Sequence, residues 1–171
     1  RKVRNLIALD AYRSIFPTVK LAQDSKSAGR WNTNVGGEYY ACGIGSALAG
    51  RGADLLLVDD PHSEQDVING NFGVFEKAYE WFTFGARTRL MPNGAVAIIQ
   101  TRWHLDDLTG RVVRDMGKNE RADQYDVVEF PAILDVLDKK TEKTVQKPLW
   151  PEFFDLEALL RTKASMPVFQ W

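Results

Sequence analysis

Leu55-Leu56-Leu57-Val58 is a continuous apolar run, and Asp59-Asp60-Pro61 stops it. Four apolar residues without alternation read as a strand buried on both faces, which points to a parallel sheet. A second such run, Ala95-Val96-Ala97-Ile98-Ile99, follows the turn signal Pro92-Asn93-Gly94 and ends at Gln100-Thr101. Between the two runs Ile68, Phe72, Phe75, Tyr79, Phe82 and Ala86 recur at steps of four and three. That spacing is one helical stripe, and it predicts the crossover helix of a βαβ unit. Gly70 and Gly73 disturb its first turns, so Asn71 is a candidate cap for a shorter helix beginning near Phe72. Trp81 and Phe84 fall off the stripe and are free to pack on a second layer or a partner.

Working outward, Leu108, Val112 and Met116 share one face of a helix expected from about 105 to 116. Residues 125–130 read as a strand, and the polar, Lys-rich residues 135–147 as an exposed turn or hairpin. Leu149-Trp150-Pro151 introduces a last helix, with Asp155 as cap and Leu156, Leu159 and Leu160 as its apolar face. On the N-terminal side, residues 3–16 predict a helix that ends before Pro17. Asn34-Val35-Gly36-Gly37 separates Trp31-Asn32-Thr33 from Glu38-Tyr39-Tyr40-Ala41-Cys42, the pattern of a hairpin. Gly43, Gly45, Gly50 and Gly52 then interrupt regular structure. The order strand, helix, strand, helix, strand fits a three-layer α/β domain.

The composition sets the outer limits. The 171 residues are 44% apolar and 26% charged, with 22 Lys+Arg against 23 Asp+Glu. Those are values of a folded chain, long enough to bury a core, and they exclude collagen-like, coiled-coil and disordered classes. A net charge of −1 excludes a chain that coats nucleic acid by bulk charge. No run of eighteen apolar residues exists, so no membrane-spanning helix is expected. The single cysteine, Cys42, has neither a second Cys nor an adjacent His, and reads as a small buried hydrophobe. A start at Arg1 rather than Met leads us to expect a piece of a longer protein.

Ligands of open parallel sheets gather at the carboxyl ends of the strands. Two strand ends here carry polar groups: Asp59-Asp60, and Gln100-Thr101-Arg102-Trp103-His104. An apolar run ending in two acids suits nucleotide hydrolysis. One carboxylate holds Mg²⁺, usually through water, and the other orients or deprotonates the attacking water. The same pair also serves simply to end a strand and cap a turn before Pro61. Thr101 and Gln100 are candidates for sensing a γ-phosphate from the neighbouring strand, or Thr101 for capping the next helix. Arg51, between Gly50 and Gly52, is placed to stabilise developing phosphate charge, or is a surface arginine in a flexible loop. His62 and His104, with Asp59, Asp60, Asp106 and Asp107, offer the donors of a mixed metal site, although their spacing follows no strict ligand template. Lys139, Lys140, Lys143 and Lys147 form a basic patch, and Arg87, Arg89, Arg102, Arg111 and Arg114 are candidates for a phosphate-facing surface.

Residues 50–61, Gly-Arg-Gly-Ala-Asp-Leu-Leu-Leu-Val-Asp-Asp-Pro, and 98–111, Ile-Ile-Gln-Thr-Arg-Trp-His-Leu-Asp-Asp-Leu-Thr-Gly-Arg, together resemble the large terminase subunit of tailed bacteriophages and prophages. Phe16-Pro17, Trp31-Asn32-Thr33, Gly36-Gly37, Phe130-Pro131-Ala132 and Leu149-Trp150-Pro151 fit the same pattern in the same order. The resemblance covers nearly the whole chain. It implies an ATP-driven motor that threads double-stranded viral DNA into a procapsid, with an N-terminal ATPase and a C-terminal nuclease. The implied fold is a three-layer P-loop NTPase of the additional-strand class with a mainly parallel sheet, incomplete at its N-terminus. Residues 1–116 correspond to the later part of the ATPase core, and 117–171 to a small α+β lid or linker portion before a nuclease outside this chain.

By the same resemblance Asp59 is the Mg²⁺-associated acid of the Walker B strand and Asp60 the catalytic carboxylate. Thr101, with the nucleotide-facing Gln100 beside it, falls in the motif that couples hydrolysis to DNA movement, and Arg51 in the loop where some relatives place an arginine finger. ATP and Mg²⁺ are the implied cofactors. The implied partners are viral DNA, a portal protein, a small terminase subunit and other copies in a ring on the procapsid, in the host bacterial cytoplasm. No G-x-x-x-x-G-K-[ST] occurs in the 171 residues, so the phosphate loop is expected upstream and ATP binding by this stretch alone is expected to be weak or nil. Two other classes stay open on the residues alone. One is a metal-dependent hydrolase or nuclease built on Asp59, Asp60, His62 and His104. The other is a non-catalytic module that docks DNA or a portal-like partner.

Overall fold

The computed structural model describes residues 2–23, 27–48, 50–139 and 141–166. The chain divides into two compact units, Arg1–Arg51 and Gly52–Trp171. Lys140 of the basic patch, and the C-terminal 167–171, lie outside the described residues.

In the first unit the expected 3–16 helix is split in two, α1 (Lys2–Leu6) and α2 (Asp10–Ile15). The turn between them is closed by the amides of Ala8 and Leu9, which donate to the carbonyls of Asn5 and Leu6. Ile7, at the break, is buried while Leu6 and Leu9 are exposed. The apolar positions here are too irregular for one face, and burying Ile7 alone does not require a continuous helix. The hairpin forms as its turn signal demands. Strands β1 (Arg30–Asn32) and β2 (Glu38–Tyr40) pair antiparallel, with Trp31 opposite Tyr39. The two rings stack at 4.8 Å, and Trp31 is buried. Gly36 adopts φ +87° in the turn, a conformation costly for any residue with a Cβ. Cys42, just past β2, is exposed, against the buried position expected for it.

In the second unit the two apolar runs are parallel neighbours: β3 (Ala53–Asp59) pairs with β4 (Leu90–Ile99). The expected turn at Pro92-Asn93-Gly94 lies inside β4 as a bulge. The register passes from Ala53↔Leu90 to Leu55↔Ala95, so four residues of β4 stand opposite one of β3. Asn93 has φ +67°, and Pro92, which has no N–H to give a ladder, is tolerated at such a site. The expected two-sided burial is not found. Val58 is 6% exposed, whereas Leu55, Leu57 and Ile99 on the other face are 61%, 56% and 59% exposed. An apolar run without alternation is here covered on one face only.

The connection between β3 and β4 is helical, as its spacing predicts, but in pieces. It comprises α3 (Glu64–Ile68), α4 (Gly73–Glu80), a π-helical turn Trp81–Ala86 and a 3₁₀ turn Arg87–Arg89. Gly70 at φ +62° ends α3, so the front of the predicted stripe, Ile68 and Phe72, is exposed. Phe72 rather than Asn71 occupies the cap position, and no side chain caps that end. The rest of the stripe holds: Phe75, Phe82 and Ala86 are buried, with Ala78. The hydroxyl of Thr83 donates back to the carbonyls of Tyr79 and Glu80, a contact that loosens an α-helix and accompanies the π turn. Helix α5 (Leu108–Lys118) starts three residues later than expected and packs on α4. Leu108 and Val112 are buried, the Tyr79 hydroxyl bonds the Asp115 carboxylate, and Arg111 pairs with Glu76 at 2.7 Å.

Residues 125–130 form no strand; they join no ladder among the described residues, and Val128 and Phe130 stay exposed. The Lys-rich stretch is a hairpin, β5 (Ile133–Asp138) with β6 (Lys143–Pro148). Helix α6 (Leu156–Ser165) begins at its foreseen cap, where the Asp155 carboxylate accepts from the Ala158 amide at 2.7 Å. The architecture of the described residues is therefore mixed α/β with small sheets and one parallel pair. No helix among them is long and apolar enough to cross a membrane.

Candidate functional site

Because β3 and β4 are parallel neighbours and end level with one another, at Asp59↔Ile99, their polar tips meet. The Asp60 amide donates to the Ile99 carbonyl at 2.9 Å. The Thr101 amide donates to Asp60 Oδ1 at 3.3 Å. Asp60 sits at φ +42°, in the left-handed region that few side chains occupy. Strand alternation puts Asp59 on the open face with Leu55 and Leu57. The Asp59 carboxylate and the Thr101 hydroxyl are exposed and make no hydrogen bond or ion pair with another described residue. Asp59, Asp60 and Thr101 thus stand together on one lip.

The other two candidates are placed differently. Alternation carried one residue past Ile99 sends Gln100 away from Asp59, and both atoms of its amide are buried without a hydrogen-bond partner among the described residues. Arg51 is not a loose side chain. It belongs to the first unit, where its guanidinium pairs with Glu38 at 2.5 Å and lies 4.1 Å over the Tyr40 ring.

Behind the lip, the segment leading from Thr101 to α5 is fastened by a residue expected only as a metal donor. Asp107 is fully buried. Its carboxylate caps α5 through the Gly110 amide at 2.9 Å, accepts from Arg102 Nε at 2.8 Å, and accepts from the amides of Trp103 and His104 at 3.2 and 3.4 Å. Burial pushes its pKa up, but the Arg102 hydrogen bond and these backbone donors outweigh burial and hold it below the ordinary carboxylate value. His62, from the loop after β3, accepts the Leu108 amide through Nε2 at 3.0 Å. Phe75 lies between the two histidines, edge-on to His62 at 4.7 Å and stacked with His104 at 5.1 Å. The signal for Asp107 was present in the sequence: an Asp directly before the first buried position of a helical stripe is a cap. Nothing in it announced His62, whose partner lies 46 residues away.

The hydrogen bond to Leu108 requires neutral His62, and burial lowers its pKa below the ordinary 6.5 although Asp107 and Asp66 pull it upward. The unfolded chain therefore binds the extra proton first as pH falls below 6.5, and folding stability should drop through that window. Thermal melts taken from about pH 7.5 to about pH 5.5 should show a falling midpoint, and His62→Gln, which keeps an acceptor but cannot titrate, should flatten the slope. An unchanged slope in that variant would refute the assignment.

The donors can be matched to a metal. Among the described residues no group of three or more His, Cys, Asp and Glu side chains could hold an ion. His62 Nε2 and His104 Nδ1 each accept a backbone amide, Asp106 pairs with Arg114 at 2.6 Å, and Asp107 is consumed by its clamp. What remains is the Asp59-Asp60 pair. That suits Mg²⁺, which keeps most of its waters and needs one or two carboxylates plus substrate phosphates, and it does not suit a protein-caged transition metal. Four of the five candidate phosphate-facing arginines are also committed: Arg87 pairs with Asp123, Arg102 with Asp107, Arg111 with Glu76 and Arg114 with Asp106, whereas Arg89 has a buried Nε with no hydrogen-bond partner among the described residues. No family model, no curated protein and no solved structure matches the chain.

Proposed function

We propose that this chain is part of a magnesium-dependent ATPase, the later portion of a P-loop-type motor domain like that of the large terminase subunits it resembles, acting in packaging viral DNA. The observation that carries the reading is the meeting of Asp60 and Thr101 at 3.3 Å across two parallel strand ends, beside an unengaged Asp59. The contact itself uses only the Thr101 backbone amide; what supports the reading over simple turn closure is that it leaves the Asp59 carboxylate and the Thr101 hydroxyl exposed and unengaged on the same lip.

In this reading Asp59 would hold Mg²⁺, and the ion, when bound, would supply charge neutralisation for the substrate phosphates. Asp60 has one oxygen committed to the Thr101 amide and the other free to accept a proton from the attacking water. The Thr101 hydroxyl is the group free to bond the terminal phosphate and to lose that bond once the phosphate leaves. The reading also needs a phosphate-binding loop, and no G-x-x-x-x-G-K-[ST] occurs in these 171 residues. DNA, a portal protein, a small subunit and a ring of copies are the partners this reading brings, in the cytoplasm of a host bacterium.

Titration of the 171-residue chain with MgATP should give no micromolar binding, whereas a chain extended upstream through a glycine-rich loop ending in Lys-Ser or Lys-Thr should bind. Micromolar affinity for the 171 residues alone would overturn the placement of the phosphate loop.

A further inference from the structure

We infer that Asp107 is a positioning residue for the reaction at the lip: its buried carboxylate sets the path of Thr101–His104 and thereby where Thr101 stands against Asp60. The inference rests on the ATPase reading for its functional half; its structural half stands alone. A helix cap needs one hydrogen bond, to the Gly110 amide. Asp107 makes that bond and then three kinds more, to Arg102 Nε and to the amides of Trp103 and His104, all in the segment that begins at Thr101. Arg102 returns to the same segment by donating to the His104 carbonyl at 3.3 Å.

The closure is sterically tight. A Cβ on Gly110 would come within 2.1 Å of the Leu105 carbonyl oxygen and 2.7 Å of the Arg102 guanidinium, so the segment folds directly over the first turn of α5. The Leu108 amide, left over by the cap, is taken by His62 from the loop after the other strand. Both strand ends are therefore fastened to the same helix start, and the lip is built on a fixed base rather than on two independent loops.

The test uses Asp107→Ser in the full-length protein. Serine keeps an acceptor for Gly110, so α5 can still start, but it is too short and uncharged to hold Arg102, Trp103 and His104 together. Amide hydrogen exchange should accelerate about tenfold or more at Trp103 and His104 while the Val112–Met116 amides keep their protection. For ATP turnover, kcat should fall about tenfold to a hundredfold with KM for MgATP within about twofold, because a misplaced Thr101 disturbs the reacting geometry more than binding. Unchanged exchange at Trp103 and His104 would overturn the clamp, and faster exchange with unchanged kcat would overturn its bearing on the reaction. If Asp107→Ser also loosens α5, Arg102→Gln, which spares the cap, decides by the same two readouts. A wild-type protein that hydrolyses no ATP would sink the ATPase reading and with it the functional half, while the exchange result would still judge the clamp.

Discussion

Asp60→Asn, in the full-length protein, is expected to lower ATP turnover by a factor of about 10² to 10⁴ while nucleotide binding survives. The substitution is close to a pure test of charge. Asparagine is among the few residues that accept the left-handed φ of +42° found at this position, so the backbone has no reason to move. Its side-chain oxygen can still take the Thr101 amide, so the two strand ends stay together. What is lost is the carboxylate's ability to accept a proton from water. Alanine here would strain the backbone as well, and its effect would be harder to read. Steady-state phosphate release, with bound nucleotide counted separately, checks the expectation.

Phe75→Ala is the change expected to cost most in stability, about 3 to 5 kcal/mol. Phe75 is 1% exposed and touches His62 on its edge and His104 on its face. It is thus the apolar link between the connecting helix and both loops that leave the strand ends. Removing the ring leaves a cavity beside His62 and His104 and takes away three aromatic contacts, with His62, His104 and Phe72. A domain is stable by only about 5 to 15 kcal/mol, so a large part of the margin goes. Thermal melting should show a midpoint lower by about 10 °C or more, and Phe75→Leu, which refills most of the volume, should recover much of it. A midpoint shift of a degree or two would mean that Phe75 is not the centre of the packing described.

How much of this was legible in the sequence follows from the range of each signal. The hairpin over 30–40 was readable because its turn residues act locally, and Asp155 was readable as a cap for the same reason. Both apolar runs do form strands, since strand character here is written in four or five adjacent residues, but the two-sided burial expected of them is absent, because what covers a face lies elsewhere in the chain. The bulge at Pro92–Gly94 was not foreseen as a bulge, because the same three residues spell a turn whether or not the strand resumes its pairing. Residues 125–130 have the composition of a strand but pair with no other strand among the described residues, which no local reading reveals.

At the site, the lip of Asp59, Asp60 and Thr101 was legible, because it needs only that two strand ends be neighbours. The posts behind it were not. His62 and His104 read as metal donors when taken singly, and only the folded chain reveals that each accepts a backbone amide. The same holds for the arginines of α5 and its approach, whose carboxylate partners lie up to 35 residues away in the case of Arg111 and Glu76.

The most direct measurement is a single turnover in the full-length protein. MgATP is bound in the absence of excess nucleotide, and cleavage is followed by rapid quenching for the wild type, Asp60→Asn and Asp59→Ala. The account predicts cleavage in the wild type, bound but uncleaved ATP in Asp60→Asn, and weakened Mg²⁺-dependent retention of nucleotide in Asp59→Ala. Cleavage by Asp60→Asn at close to the wild-type rate, or a wild type that holds ATP without cleaving it, would contradict it.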